Sequence, residues 1–255
     1  MRVTDRLIAG AYRRRIRGTG RIARVVYAGK PGRSVRTTLG GLVWEADPLD
    51  WMDQQVLTTG SYEPELARHL VDVIRADDVF WDVGANVGVH ALRAKAAHPD
   101  VEVLAFEPSP RQYARLRHNA AINGLEVTAY CVALAARRGY QQLSVVDIGN
   151  SGLNSLRPRA ATTYSDSFPC WCDTADEVVA AGAQPPTVMK IDVEGSQDDV
   201  FAGMSLILAG TSLRHIVFES DDGSAPRLTD AGFAIHRFDG SSGGGVDWVA
   251  ARGTA

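Results

Sequence analysis

The ten residues from Val79 to Gly88, Val-Phe-Trp-Asp-Val-Gly-Ala-Asn-Val-Gly, leave this chain few folds to choose from. Four strand-forming residues, Val79, Phe80, Trp81 and Val83, surround one acid and run into a glycine-spaced turn. Val89, Leu92, Ala96 and Ala97 then return at helical spacing. The stretch predicts a strand, a tight turn and a helix. Gly84 and Gly88 remove Cβ atoms where the chain turns sharply and comes close to a ligand, and the helix behind them aims unpaired N–H groups at that ligand.

The alternation continues downstream. Val101–Phe106 reads as a second strand ending in Glu107-Pro108, followed by a helix over Arg111–Asn123 with Asn123-Gly124 as its left-handed stop. Val127–Leu134 reads as a third strand, Asp173–Ala181 as a helix, and Thr187–Ile191 as a fourth strand ending in Asp192-Val193-Glu194-Gly195. A helix over Gln197–Leu208 leads to a fifth strand, Leu213–Phe218, which ends in Glu219. Phe233–Phe238 and Val246–Ala251 supply two final strands around a glycine-serine turn. This order predicts an α/β, Rossmann-like fold with a mostly parallel sheet and helices on both faces.

Upstream, Val35–Trp44 reads as a hairpin around Gly40-Gly41 and Asp47–Gly60 as a polar approach. A helix then starts at Ser61 or Glu63, with Pro64 in its first turn, and runs to about Arg75. The segment Asp147–Phe168 is polar and irregular, as a lid or a disordered excursion would be. These boundaries divide the chain into a basic N-terminal extension, residues 1–59, and one domain, residues 60–255.

The formal net charge of −3 gives no general reason to expect nucleic acid, but its distribution is uneven. Eleven Arg or Lys residues fall between Arg2 and Arg36 against one acid, Asp5. A helix over Thr4–Ile16 sets Leu7, Ile8, Ala11 and Tyr12 on one side and arginines on the other, as membrane-surface or anionic-ligand helices do. Its short apolar face favours a solvated basic arm instead. No stretch approaches a membrane span or a signal core, so a cytoplasmic protein is expected. Cys131 lies in an apolar run and reads as core packing, while Cys170 and Cys172 flank Trp171 and read as buried thiols on one face of an extended segment.

The chemistry starts from Asp82. A carboxylate just before the first glycine would repel a pyrophosphate, and the turn lacks the third glycine of dinucleotide sites. It suits a cationic ligand without phosphate, S-adenosylmethionine. Glu107, at the end of the second strand, is then placed to accept bonds from two ribose hydroxyls. Ala133 offers a small side chain beside adenine. Asp192 and Glu194 end the fourth strand, and a buried Lys190 beside them requires a partner.

With these residues in place the chain resembles the FkbM family of S-adenosylmethionine-dependent methyltransferases, across roughly Gly60 to Glu219. The matching pieces are Gly-x-Tyr-Glu-x-Glu at Gly60–Glu65, Asp-Val-Gly-Ala-Asn-x-Gly at Asp82–Gly88, Ala-Phe-Glu-Pro at Ala105–Pro108 and Lys-Ile-Asp-Val-Glu-Gly at Lys190–Gly195. The resemblance implies a seven-stranded sheet with the last strand antiparallel, and methyl transfer mainly to hydroxyl oxygens of small natural products or sugars. The cofactor set expected is Tyr62, Glu63, Asp82, Gly84, Ala85, Asn86, Gly88, Glu107, Pro108, Ser109 and Ala133. Tyr62 and Glu63 close over the methionine end.

For the base that takes the acceptor proton, Asp192 and Glu194 come first, with His215 and Glu219 behind them. Asp192, Glu194 and Glu219 also form a hard-oxygen set that suits magnesium or calcium, but helix caps explain such acids without a metal, and none is expected. His90 reads as packing. The expected partner is a small hydroxylated acceptor, with no nucleic acid and no membrane span, and a homodimer is compatible with the chain. The competing readings are a non-catalytic nucleoside-binding module and a NAD-dependent oxidoreductase.

Overall fold

A computed structural model describes residues 3–27, 34–146, 149–240 and 246–253. In chain order its helices and strands are α1 (Val3–Arg13), α2 (Thr19–Tyr27), β1 (Val35–Leu39), β2 (Leu42–Ala46), α3 (Trp51–Thr59), α4 (Pro64–Val73), β3 (Val79–Val83), α5 (Val89–Ala97), β4 (Glu102–Phe106), α6 (Pro110–Ile122), β5 (Thr128–Tyr130), β6 (Ala133–Leu134) and β7 (Gly139–Val145). They continue as β8 (Asp166–Asp173), α7 (Ala175–Ala180), β9 (Val188–Ile191), α8 (Gln197–Ala202), α9 (Ser205–Ala209), β10 (His215–Glu219), α10 (Pro226–Asp230), β11 (Ala234–Arg237) and β12 (Asp247–Ala251).

Seven strands form the central sheet in the order β11-β12-β10-β9-β3-β4-β5. β3 pairs in parallel with β4 and β9, and β9 with β10, while β12 runs antiparallel to both of its neighbours. The order reverses beside β3, and in open α/β sheets that is where strand ends diverge and leave a crevice for a ligand. The two faces of β3 are read by its period of two. Trp81 and Val83 join Leu104, Ile191 and Phe218 in one apolar cluster with α7 to α10, whereas Phe80 joins Val103, Val188 and Val217 under α4, α5 and α6.

The structure departs from the expected elements at several places. The third strand breaks after Tyr130. β5 stays in the main sheet, and β6 leaves it to pair with β8 in a three-stranded sheet of order β6-β8-β7. Cys131 lies at that break and is exposed, not core, while Cys170 and Cys172 are buried on β8. β7 has no apolar alternation to betray it, and β8 claims the end of the segment expected to be irregular. The helix expected over Gln197–Leu208 is two short helices separated at Gly203-Met204. Of the turn joining the last two strands, residues 241–245 lie outside the described residues, as do Asp147 and Ile148 of the polar segment.

The N-terminal extension is not a solvated arm. Ile8, Ala9, Tyr12, Ala23 and Tyr27 are buried in a cluster with Val35, Leu39, Trp44, Val56 and Leu57, which continues into Val87, Val89 and Leu92 beside the glycine turn. Burying a side chain of Ile size contributes roughly 1.5–3 kcal/mol, enough for a few such contacts to hold a short helix. The face turned inward is Asp5, Ile8, Ala9 and Tyr12. Leu7, expected inside, is exposed. The stretch expected as a polar approach is α3. Asp50 caps it by accepting from the Met52 and Asp53 N–H groups at 3.1 and 3.3 Å, and Gly60 closes it in the left-handed conformation. Its buried face includes Asp53, which accepts from Trp44 Nε1 and the Asp47 N–H and pairs with Arg115. A charged core position of this kind hides a helix from apolar periodicity.

Candidate active site

A cavity of about 300 Å³ opens at the C-terminal ends of β3, β4, β9 and β10. Its walls include Tyr62 and Glu63, Gly84 to Asn86, Glu107 and Pro108, Ala133 and Leu134, and Asp192 to Glu194 with Glu219. The segment Asn150–Leu156 and the start of α3, Trp51 and Met52, complete it. That segment is tied down from both sides. The Ser151 N–H donates to Asp50 Oδ2 at 2.8 Å, and Ser155 Oγ donates to the Glu194 carbonyl at 2.8 Å.

Backbone builds one end of the cavity. The N–H groups of Gly84 and Ala85 both donate to the Phe106 carbonyl at 3.0 Å, which locks the turn onto the end of β4. Glu107 is buried and accepts the Asn86 N–H at Oε2 and the Ser109 N–H at Oε1, each at 2.8 Å. Burial pushes its pKa up to about 7 against those two bonds. Each carboxylate oxygen keeps a second lone pair free to face the cavity.

Charge builds the other end. Burial disfavours the Lys190 ammonium, but Asp192, Asp82 and Glu63 outweigh it and raise its pKa. Its Nζ donates to Asp192 Oδ2 at 3.1 Å and lies 3.8 Å from Asp82 Oδ1. Asp192 is half-buried, yet Lys190 and a hydrogen bond from Glu219 hold its pKa below the ordinary carboxylate value. Glu219, half-buried and facing Asp192 and Glu194, is pushed up to about 9, so at neutral pH it carries the proton it donates to Asp192. Glu194 is pushed up to about 7 by burial and by Asp192, with Arg159 3.8 Å away on its other side. Oxygens of the three acids lie within 4.8 Å of one another.

Backbone strain is concentrated here. Among the described residues, the non-glycine residues with positive φ are Arg15, Glu63, Asn86 and Glu194, and the last three all line this cavity. Such conformations cost on the order of 1–3 kcal/mol each and persist where surrounding contacts enforce them. Two buried polar atoms without a partner, His90 Nδ1 and Ser196 Oγ, belong to cavity-lining residues. The opposite nitrogen of His90 donates to Glu63 Oε2 at 2.9 Å.

The pattern of the methyltransferase FkbM domain matches residues 82–235, from the acid of the glycine turn to β11 and more than half of the chain. The chain belongs to this family. It is 30% identical over 166 residues to the hexuronic acid methyltransferase AglP of Haloferax volcanii, an alignment covering 65% of each chain, just under two thirds of that relative. It is 28% identical over 188 residues to the 31-O-demethyl-FK506 methyltransferase FkbM of Streptomyces tacrolimicus, covering 69% of this chain and 72% of that one. A solved FkbM methyltransferase from Methylobacillus flagellatus aligns with 80% of this chain and 55% of its own at 14% identity and a TM-score of 0.48.

Within this FkbM-family chain, the expected site residues divide into wall and support. Tyr62, Glu63, Gly84, Ala85, Asn86, Glu107, Pro108, Ala133, Asp192, Glu194 and Glu219 lie on the cavity wall, and His90, expected as packing, joins them. Asp82 does not. It is fully buried beneath the turn, where Oδ2 accepts the Ala91 N–H at the start of α5 at 3.0 Å and Oδ1 lies 3.8 Å from Lys190 Nζ. Gly84 is required by the chain itself, since a Cβ there would sit 1.8 Å from the Asp192 carbonyl oxygen. Gly88 lies off the wall, and a Cβ on it would meet Leu116 of α6 at 2.9 Å. Ser109 stands behind Glu107, donating its Oγ–H to Gln112 Oε1 at 2.7 Å.

His215 is a correction. It is the first residue of β10, at the end of the strand away from Glu219, where its Nε2 meets His69 Nε2 at 2.9 Å beneath Phe238. Burial and His69 lower its pKa to about 4, so it is a neutral core residue. Trp51 and Ser196 line the cavity without having been expected there, Lys190 was expected only as a buried group in need of a partner, and the segment from Asn150 was expected as a lid or a disordered excursion with no residue singled out.

Proposed function

We propose that this chain transfers a methyl group from S-adenosylmethionine to a hydroxyl oxygen of a small, polyhydroxylated molecule, with Glu194 as the base. The observation that carries the reading is Glu194 itself, a cavity-lining carboxyl held in left-handed backbone with a pKa near 7. An ordinary carboxylate is too weak a base for an alcohol, and one lifted toward neutrality is better matched. The neighbouring acids do different work. Asp192, kept ionised by Lys190, accepts a hydrogen bond from an acceptor hydroxyl and orients it, and Glu219 supplies a proton to that cluster. The relatives act on a hexuronic acid and on a demethylated FK506, which supports a hydroxyl acceptor here.

The cavity suits the cofactor. Glu63 and Glu194, the lining acids that neither Lys190 nor a held proton neutralises, favour a ligand carrying sulfonium and ammonium charges over a pyrophosphate. Glu107 accepts the ribose hydroxyls with its free lone pairs. When bound, the cofactor supplies an electrophilic methyl group. Methyl transfer then depends on alignment and exclusion of water, which Trp51, Tyr62 and the Asn150–Leu156 cover provide. We propose no metal in this step. Of the three clustered acids, Asp192 is already neutralised by Lys190 and Glu219 holds a proton, which leaves Glu194 alone to ligate.

Calorimetry with S-adenosylhomocysteine and with NAD tests the cofactor, with binding expected for the first only. Binding of NAD alone would move the oxidoreductase reading ahead, and binding of neither would favour a structural module. An acceptor screen spanning uronic acids, neutral sugars and macrolide alcohols, run with and without a chelator, then tests the rest. Loss of turnover on chelation would reinstate a metal at the three acids.

A further inference from the structure

We infer that the N-terminal helix pair docks this protein on an anionic lipid bilayer. The reasoning starts from what α1 and α2 leave uncovered. Of the nine large apolar side chains exposed among the described residues, five lie on this pair or its connecting turn: Val3, Leu7, Ile16, Ile22 and Val25. Val3, Leu7 and Val25 are 74%, 67% and 80% exposed. The spacing is helical, with Val3 and Leu7 one turn apart on α1 and Ile22 and Val25 one turn apart on α2. Both helices bury their opposite faces in one apolar cluster, so the two exposed stripes point away from the same core. Scattered exposed apolar residues are ordinary, but a cluster of this kind marks a contact surface.

The charge around the stripes identifies the partner. Arg6, Arg14, Arg15, Arg17, Arg21 and Arg24 are exposed on the same pair, and among the described residues none of them has a carboxylate partner. The one acid in this part of the sequence is turned inward. Asp5 is buried and accepts the Tyr27 hydroxyl at 3.0 Å, so it does not cancel the positive surface. Arginines interleaved with aliphatic side chains match an interface of anionic headgroups over hydrocarbon, which supplies partners to both kinds of group at once. A nucleic-acid backbone would satisfy the arginines and leave Val3, Leu7 and Val25 in water. Among the described residues no helix is long and apolar enough to cross a membrane, so this is attachment to a surface.

The surface is separate from the cavity and its test does not use activity. The full chain is floated with phosphatidylcholine vesicles, with and without phosphatidylglycerol, at low and high salt. It should bind the anionic vesicles, lose at least about tenfold in partitioning without the anionic lipid, and weaken as salt rises. Leu7→Asp with Val25→Asp, at exposed positions and checked by circular dichroism to be folded, should lower partitioning about tenfold or more. Arg14→Glu with Arg21→Glu should do so as well, by roughly 25-fold for two arginines at about fivefold each and more for the reversed charge. A folded chain that ignores anionic vesicles overturns the inference. So does binding that survives both aspartates and is competed away by duplex DNA, which would mark a polyanion surface instead.

Discussion

The two ends of the cavity are assembled from different parts of the molecule and by different forces. At the cofactor end, Gly84, Ala85, Asn86, Glu107 and Pro108 come from two consecutive strand ends and are held by backbone hydrogen bonds to Phe106 and to Glu107. At the acid end, Glu63, Glu219 and the pair Asp192 and Glu194 come from three separate parts of the chain and are held by one lysine, one shared proton and a cover segment that reaches across from Ser155. Each end holds a group that titrates near neutrality, Glu107 at the first and Glu194 at the second, but only at the second do several acids share a lysine and a proton, so a change of pH there rearranges more than one group.

The comparison can be broken most severely at Gly84, where the two ends touch. Gly84→Val places its Cβ on the Asp192 carbonyl and adds a branched side chain at φ +77, so the β3–β9 junction must open. A loss of about 4 kcal/mol or more in denaturant unfolding is expected. A Gly88→Ala chain should lose much less, because the atom it meets belongs to the movable Leu116 side chain. Equal losses would show that close backbone approach is not what Gly84 serves.

At the acid end, Glu194→Gln keeps the shape and removes the proposed base, so turnover should fall by ~10² to 10⁴ with little change in S-adenosylhomocysteine affinity. Asp192→Asn should also slow turnover, and it leaves Lys190 with Asp82 alone as its close partner. Full activity in the Glu194 amide would shift the base to Asp192. At the cofactor end the pattern should invert. Glu107→Ala removes a buried acceptor and frees two N–H groups, weakening the S-adenosylhomocysteine dissociation constant by roughly 10- to 100-fold, from bonds of ~1.5–3 kcal/mol. An unchanged constant would take the ribose away from Glu107.

A smaller effect comes from pH. Glu194 must lose its proton to act as a base, so kcat/KM should rise through about 7, and Glu219 must keep its own, so the rate should fall above about 9. The stability consequence has the opposite slope to an ordinary paired acid. Both groups bind protons more tightly folded than unfolded, so their contribution falls as pH rises from 4.5 towards those values. Melting temperatures that climb across this range in the wild type, or an unchanged profile in Glu219→Gln, would contradict the assignment. The smallest expected effect is Asp50→Ala, which removes the cap of α3 and the acceptor for Ser151, at about 1–2 kcal/mol of stability.

Much of this was legible in the chain. The central sheet was, because its strands are buried on both faces and read as continuous apolar runs between turns. The cofactor end was as well, since Gly84 to Asn86 and Glu107 lie at ends of such runs. The roles of Asp82 and Gly84 were not. Both were read as facing a ligand; Asp82 lies off the cavity beneath the turn, and Gly84 lines the cavity while its missing Cβ leaves room for the Asp192 carbonyl, because what a turn residue meets depends on the neighbouring strand β9 as well as on the turn.

His215 shows the limit in another form. Its spacing to Glu219 puts both side chains on one face of β10, yet a strand also has two ends, and only the C-terminal end reaches the cavity. The first N-terminal helix was legible but its docking was not, because its inner face mixes Asp5 and Tyr12 with Ile8, so that burial follows hydrogen bonds to Tyr27 and Pro48 as much as hydrophobicity. What the sequence determined by itself was the local grammar: which residues form strands, where they stop, and which acids stand at the stops. Tertiary structure alone decided which acids share a proton, which one Lys190 neutralises and which meet the ligand, because a carboxyl group's pKa and reach depend on neighbours brought together from distant parts of the chain.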